Sequence, residues 1–238
     1  MKIAVYSHSI APSIDGVCRR FTGLLREMVA NGHEVLVFTL EDHPEDLPSN
    51  VTTITLDHMC VPSYPEKKVA RPTIRSFNRM LYALKKHRPD VIHVTADGFS
   101  HMFALLGLVL NIPILGSFHT DLMDLLQTHN AHPFQSMVVA LKERIDSRVF
   151  DASATTSTSF AAKLKTLGVH CDFIIQTAVD TTTFNSDKKN LALRREMMFG
   201  DESGFLCVYV GRISKEKRID IMWEALQGDH ITLLQYAL

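Results

Sequence analysis

The chain has 238 residues, enough for one large α/β domain or for one domain and part of a second. Apolar side chains make up 46% and charged ones 21%, the proportions of an ordinary globular chain without long disordered tracts. With 25 basic against 26 acidic side chains the formal net charge is -1, which excludes a global pull toward nucleic acid and leaves local clusters to be read.

Residues 3–6 read as a first strand, with no charged leader or cleavage site ahead of them. From 17 to 29 the apolar residues fall at Val17, Phe21, Leu24, Leu25, Met28 and Val29, one face of a helix that Gly32 ends. Strands are expected at 34–40 and 51–56. Pro72 opens a helix that turns Ile74, Phe77, Leu81 and Leu84 to the core and stops before Pro89. Residues 91–94 and 112–118 read as strands, joined by an apolar helix over 101–110. The apolar stretch 102–118 is broken by Asn111 and Pro113, too short and too interrupted to span a bilayer. A helix follows at 135–150, then a strand at 152–156, a helix capped by Ser159 and ended by Gly168, and a strand at 172–176. The polar stretch 181–203 lacks periodicity and reads as a linker. Beyond it come a strand at 205–210, a turn at Gly211, a helical segment to Leu226 and a candidate strand at 231–234.

This alternation predicts an α/β fold. A Rossmann-like parallel sheet domain occupies 1–180, a linker 181–203, and the beginning of a second Rossmann-like domain 204–238. In the last helix Ile219, Met222, Trp223 and Leu226 form an apolar face that two strands cannot cover. Residues 204–238 are therefore expected to be incomplete, and the chain alone catalytically incompetent. Sheets of this kind bind ligands at the carboxyl ends of their strands, so the loops after Tyr6, Val94, Phe118 and Gln176 matter most.

The loop after the first strand runs from His8 to Gly16. A glycine at a helix N-terminus lets an anion approach free backbone amides, although a plain helix cap would use the same residue. The loop lacks the G-x-G-x-x-G pattern, which disfavours a dinucleotide and an oxidoreductase. His119 follows the strand ending at Phe118, where an imidazole can point into the ligand crevice or be satisfied by loop carbonyls. His93 lies inside a strand and reads as a core histidine. His129 and His132 have no third ligand at a familiar offset, so no metal site is expected. The four cysteines, Cys18, Cys60, Cys171 and Cys207, are scattered and read as reduced thiols in a cytosol-like compartment.

Two clusters are basic. After the strand 205–210, Gly211 is followed by Arg212 and Lys217, five residues apart, in a turn that opens a helix. A guanidinium fork, an ammonium and a helix N-terminus together suit a diphosphate, though a solvated helix start would also carry mixed charges. Lys67, Lys68, Arg71, Arg75, Arg79, Lys85, Lys86 and Arg88 form a run with no acid inside it. Arg71, Arg75 and Arg79 recur every four residues on one side of the helix. Either an anionic lipid surface or water faces them.

Four segments occur in a specific order: the Gly16 loop, Ser117-Phe118-His119-Thr120, Val179-Asp180-x-x-x-Phe184, and Gly211-Arg212 with Lys217. In this the chain resembles family-four glycosyltransferases, the retaining two-Rossmann-domain (GT-B) group. Ser117–Thr120 and the loop before it are most similar to sulfolipid synthases (sulfoquinovosyltransferases) and glycolipid mannosyltransferases. The resemblance implies transfer of a sugar from a nucleotide-diphosphate sugar with retention, no divalent metal or other cofactor, and an acceptor that can be a lipid. It implies that Arg212 and Lys217 bind the donor diphosphate. Backbone groups around Gly16 would touch donor phosphate or acceptor, and His119 would sit beside the transferred sugar. The scattered thiols and the lack of a leader lead to the expectation of a cytoplasmic protein, and the basic run adds peripheral attachment to an anionic membrane as a further expectation. Ala178 stands where the family usually has glycine, and the family's acidic donor motif would lie beyond Leu238. Two other readings stay open, a nucleotide-sugar epimerase on the same fold and a truncated, non-catalytic binding module.

Overall fold

The computed structural model describes residues 1–61, 64–128, 130, 132–200, 205–211, 213–226 and 231–236. The chain forms two compact units, one of Met1–Met123 with Pro133–Thr177, the other of Asp124–His132 with Ala178–Leu238.

The first unit is built on a seven-stranded parallel sheet. Its strands are β1 (Lys2–Tyr6), β2 (Glu34–Thr39), β3 (Val51–Thr55), β6 (Val91–Thr95), β7 (Ile114–Phe118), β8 (Ala152–Thr155) and β9 (Phe173–Ile174), in the order β3-β2-β1-β6-β7-β8-β9. Between β3 and β6 the chain makes an antiparallel hairpin, β4 (His58–Val61) and β5 (Tyr64–Ala70). The strand alternation divides the core into two layers. Ile3, Val5, Val35 and Val37 pack with Phe21 and Leu25 of helix α1 (Gly16–Ala30) on one face. Ala4, Tyr6, Leu36 and Phe38 face the other way. They meet α2 (Ile74–His87) through Met80 and Leu84, α3 (Ser100–Leu110) through Phe103 and Leu106, and α6 (Thr158–Thr166) through Leu164.

Local chemistry sets the helix ends. The Asp15 carboxylate caps α1 by accepting from the Cys18 amide at 2.8 Å. Thr73 caps α2 through the Ser76 amide. Ser157, not Ser159, caps α6, accepting from the Phe160 amide at 3.1 Å; Ser159 lies inside the first turn. Gly32 and Gly168 take the left-handed conformation (φ 76° and 75°) that ends α1 and follows α6.

Helix α2 departs from its expected face at one residue. Ile74 is 82% exposed and lies outside the core. It sits about 120° round the helix axis from Met80 at 3.6 residues per turn, off the line set by Ser76, Met80, Ala83 and Leu84. Helix α5 (Pro133–Val149) is turned inside out: Glu143 and Asp146 are buried, while Met137, Leu141 and Ile145 are exposed. Asp146 is held by Lys142 at 2.5 Å and His101 at 2.9 Å. Burial pushes the Glu143 carboxyl up to about 7. Helix α4 (Leu122–Thr128), like the β4–β5 hairpin, is an element the periodicity did not mark.

In the second unit the polar stretch holds a short 3-10 turn, Ser186–Lys188, and α7 (Leu191–Met197). Strands β10 (Phe205–Val210) and β11 (Ile231–Tyr236) pair in parallel, and α8 (Ile219–Ala225) lies between them in sequence. Trp223 is 59% exposed. No helix among the described residues is long and apolar enough to cross a membrane.

Candidate functional site

The carboxyl ends of β1, β6 and β7 carry a cluster of polar side chains in the first unit. After β1, the loop is tied down by its own hydroxyls. Ser7 donates to the Ser9 carbonyl at 2.8 Å, Ser9 donates to Asp15 at 2.6 Å, and Ser13 donates to Glu41 at 2.9 Å. His8 leaves this loop with Nδ1 3.3 Å from Thr95 Oγ1 and 3.5 Å from the Asp97 carboxylate, both at or just past the end of β6.

Gly16 begins α1, and a Cβ added there would meet nothing within 4 Å. The space allows a ligand to approach the helix N-terminus. Asp15 already places a carboxylate there, so an anion brought to Gly16 would meet a like charge.

His119 stands directly after β7, half-buried. Its Nε2 lies 2.8 Å from Ser117 Oγ, and its ring meets Phe21 edge-on at 5.3 Å. Burial lowers its pKa to about 3, helped by the nearby charge of Arg20 and by His93 and His8. His93 is buried, as a core histidine would be, and is lowered to about 4 by burial and Arg20. It is also joined to the same hydroxyl, with Nε2 2.9 Å from Ser117 Oγ. Both rings are therefore neutral hydrogen-bonding groups near pH 7.

Arg20 is a site residue that the sequence reading missed. It lies one turn beyond Gly16 and donates to Thr177 Oγ1 at 3.0 Å and to the Ile175 carbonyl, at the far edge of the sheet. Its signal was its four-residue offset from Gly16, which puts both on one face of α1. The carboxyl edge thus gathers His8, Arg20, His119 and Asp97, with His93 and Ser117 beneath them. A hollow of about 440 Å³ lined by Met1, Lys2, Glu34, Lys86 and Arg88 lies at the amino edge instead and holds none of these groups.

The other expected site residues fall elsewhere. Arg212 lies outside the described residues. Lys217 ends a 3-10 turn (Lys215–Lys217) in the second unit and is exposed, and α8 starts only after Arg218. In the Val179-Asp180 segment the Asp180 carboxylate accepts from the Thr182 amide at 2.9 Å and from the hydroxyls of Thr182 and Thr183 at 2.6 and 2.5 Å. Those bonds hold it well below the usual carboxylate range and shape the turn. Arg71 precedes α2, Arg75 is exposed on its first turn, and Arg79 donates to the Thr55 carbonyl at 3.0 Å with Asp57 at 3.9 Å. Lys68 is bound by Glu41 at 2.7 Å. The basic run is thus partly neutralised by acids from outside it. No three metal-ligating side chains converge among the described residues, and His129 lies outside them.

Comparison with known proteins adds the family. Residues 14–183 match the model of Glycosyltransferase Family 4. A GDP-mannose-dependent alpha-mannosyltransferase of Corynebacterium glutamicum is 25% identical over 234 residues, covering 93% of this chain and 54% of the relative. The sulfoquinovosyl transferase SQD2 of Arabidopsis thaliana is 23% identical, covering 88% of this chain and 41% of the relative. The chain thus spans about half the length of the curated relatives it matches. Among solved structures, Anabaena Alr3699/HepE in complex with UDP-glucose superposes with a TM-score of 0.65 at 13% identity, covering 99% of this chain and 60% of that one. A sucrose-phosphate synthase from Thermosynechococcus elongatus gives 0.60 at 17% identity, covering 98% and 70%. These likenesses carry the fold, that of the GT-B glycosyltransferases.

Proposed function

The chain belongs to glycosyltransferase family 4, and on that footing we propose that it moves a sugar from a nucleotide-diphosphate sugar to an acceptor with retained configuration. The observation that carries this reading is His119. It is a neutral imidazole at the carboxyl end of a central parallel strand, beside Arg20 and His8, in a sheet whose first loop lacks a dinucleotide fingerprint. A neutral ring there touches a sugar hydroxyl without competing with the phosphates for cations. The charge that develops on the departing diphosphate falls to Arg212 and Lys217, cations that act most strongly as the bond breaks. No metal is required for this division of labour. The relatives named above act with GDP-mannose or as a sulfoquinovosyl transferase.

Calorimetric titration of the full-length gene product with UDP and GDP tests the donor side. Arg212→Ala should weaken nucleoside diphosphate binding by about 1.5–3 kcal/mol, the scale of a charge-assisted hydrogen bond. Unchanged binding in both the Arg212→Ala and Lys217→Ala proteins would sink the assignment.

The acceptor is a lipid presented at an anionic membrane. The support is a surface of three helices, in which α3 packs against both α2 and α5. α2 turns Arg75, Lys85 and Lys86 outward, α3 exposes Leu105, Leu108 and Val109, and α5 exposes Met137, Leu141 and Ile145 with its acids turned in. Each Lys or Arg near an anionic leaflet contributes about 1 kcal/mol, and the apolar side chains add burial in the interface. In flotation, the protein is expected to rise with phosphatidylserine vesicles at low salt and to be released at high salt. Equal recovery on neutral and anionic vesicles leaves only a solvated helix face.

A further inference from the structure

We infer that Ser117, with His93 behind it, fixes His119 as the Nε2–H tautomer and thereby presents Nδ1 as a neutral hydrogen-bond acceptor, suited to a ligand hydroxyl or amine and not to a phosphate oxygen. A serine hydroxyl has one hydrogen to donate and two lone pairs to accept with. Three groups surround Ser117 Oγ: the Val94 carbonyl oxygen at 3.2 Å, His93 Nε2 at 2.9 Å and His119 Nε2 at 2.8 Å. The carbonyl can only accept, so it takes the hydroxyl hydrogen. Both lone pairs then remain, and each is filled by an N–H. His93 and His119 must both carry their ring proton on Nε2. Giving the serine hydrogen to either ring instead would leave two oxygens 3.2 Å apart with no proton between them.

The setting enforces this assignment. Ser117 is 2% exposed and His93 6%, so water cannot replace a missing partner. Neither ring holds a second proton near neutral pH, since burial and the Arg20 charge lower both. What remains of His119 is the Nδ1 lone pair. It has no hydrogen-bond partner among the described residues, and it is not sealed from solvent. A sugar hydroxyl can donate to that atom, whereas a phosphate oxygen would set lone pair against lone pair. Ser117 and His93 are positioning residues here. They act through His119 and decide which half of its ring chemistry faces the ligand.

This inference rests on the sugar-transfer reading only for the nature of the ligand, and its test needs no turnover. Side-chain ¹⁵N spectra of the histidine-labelled protein report the tautomer directly, with the His119 signals identified by their disappearance in His119→Gln. At neutral pH both His93 and His119 should show a protonated Nε2 and an unprotonated Nδ1, and inorganic phosphate should leave the Nδ1 resonance of His119 in place. Ser117→Ala should turn His119 into a mixture of tautomers, and Ser117→Thr, which keeps the hydroxyl, should restore the single form. A wild-type His119 protonated on Nδ1, an unchanged Nε2–H form in Ser117→Ala, or a phosphate-induced shift at Nδ1 would overturn the inference. If Ser117→Ala does not fold, the wild-type spectrum alone decides.

Discussion

Replacing Phe103 by alanine is expected to cost about 3–5 kcal/mol of stability, the range for an aromatic ring removed from a packed core. Phe103 is fully buried, stacked on Tyr6 at 4.8 Å and edge-on to Phe38 at 5.1 Å and Phe99 at 6.2 Å. These rings join β1, β2 and α3, so the cavity would open between the sheet and its helical layer, where neighbours on three elements cannot all move in. The melting temperature should fall by about 6–20 °C for a domain of this size. Ile74→Ala, at a residue that is 82% exposed, should change stability by no more than about 0.5 kcal/mol. Thermal and urea unfolding of both variants measure the contrast. A destabilisation below about 1 kcal/mol for Phe103→Ala would mean that the core is not packed as described. Because Tyr6 is the last residue of β1, His8 should also become less well ordered in the variant.

Much of this architecture is legible in the residues themselves. Residues 35–39 and, apart from His93, 91–95 are apolar or β-branched because a parallel sheet is covered on both faces. α1 is legible because Phe21 and Leu25 repeat at helical spacing on a single core face. The hairpin over 58–70 is not, since its prolines and mixed polarity erase the alternation on which a strand reading depends. Nor is the orientation of α5. Leu141 and Ile145 have the periodicity of a buried face, yet Asp146 is drawn inward by Lys142 and His101. Serine occurs at both 157 and 159, and only the geometry of the Phe160 amide chooses the cap.

The site divides in the same way. His119 announces itself by standing at a strand's end. Arg20 does not, because one cation on a helix otherwise read for its apolar face looks like a solvated side chain. The link from His93 through Ser117 to His119 depends on strand register. Pairing of β6 with β7 sets Thr95 beside Ser117 and His93 beside Leu115, which brings the serine next to the histidine on the α1 face. Composition and spacing along one strand do not contain the register of its neighbour.

The most direct test of sugar transfer is to incubate the full-length gene product with UDP- and GDP-hexoses labelled in the sugar, together with diacylglycerol vesicles, and to identify the labelled product. Labelled sugar should appear on the acceptor with the anomeric configuration of the donor, with release of nucleoside diphosphate and no need for added metal. His119→Ala should slow transfer by about 10²-fold, the scale of removing one hydrogen bond that stabilises a transition state, while nucleoside diphosphate affinity stays unchanged. The wild-type profile should show no fall in rate from His119 above pH 5, because the ring, lowered to about 3, is already neutral there. Label recovered as an epimerised nucleotide sugar, inverted product, or transfer at the full rate by His119→Ala would contradict the proposed function.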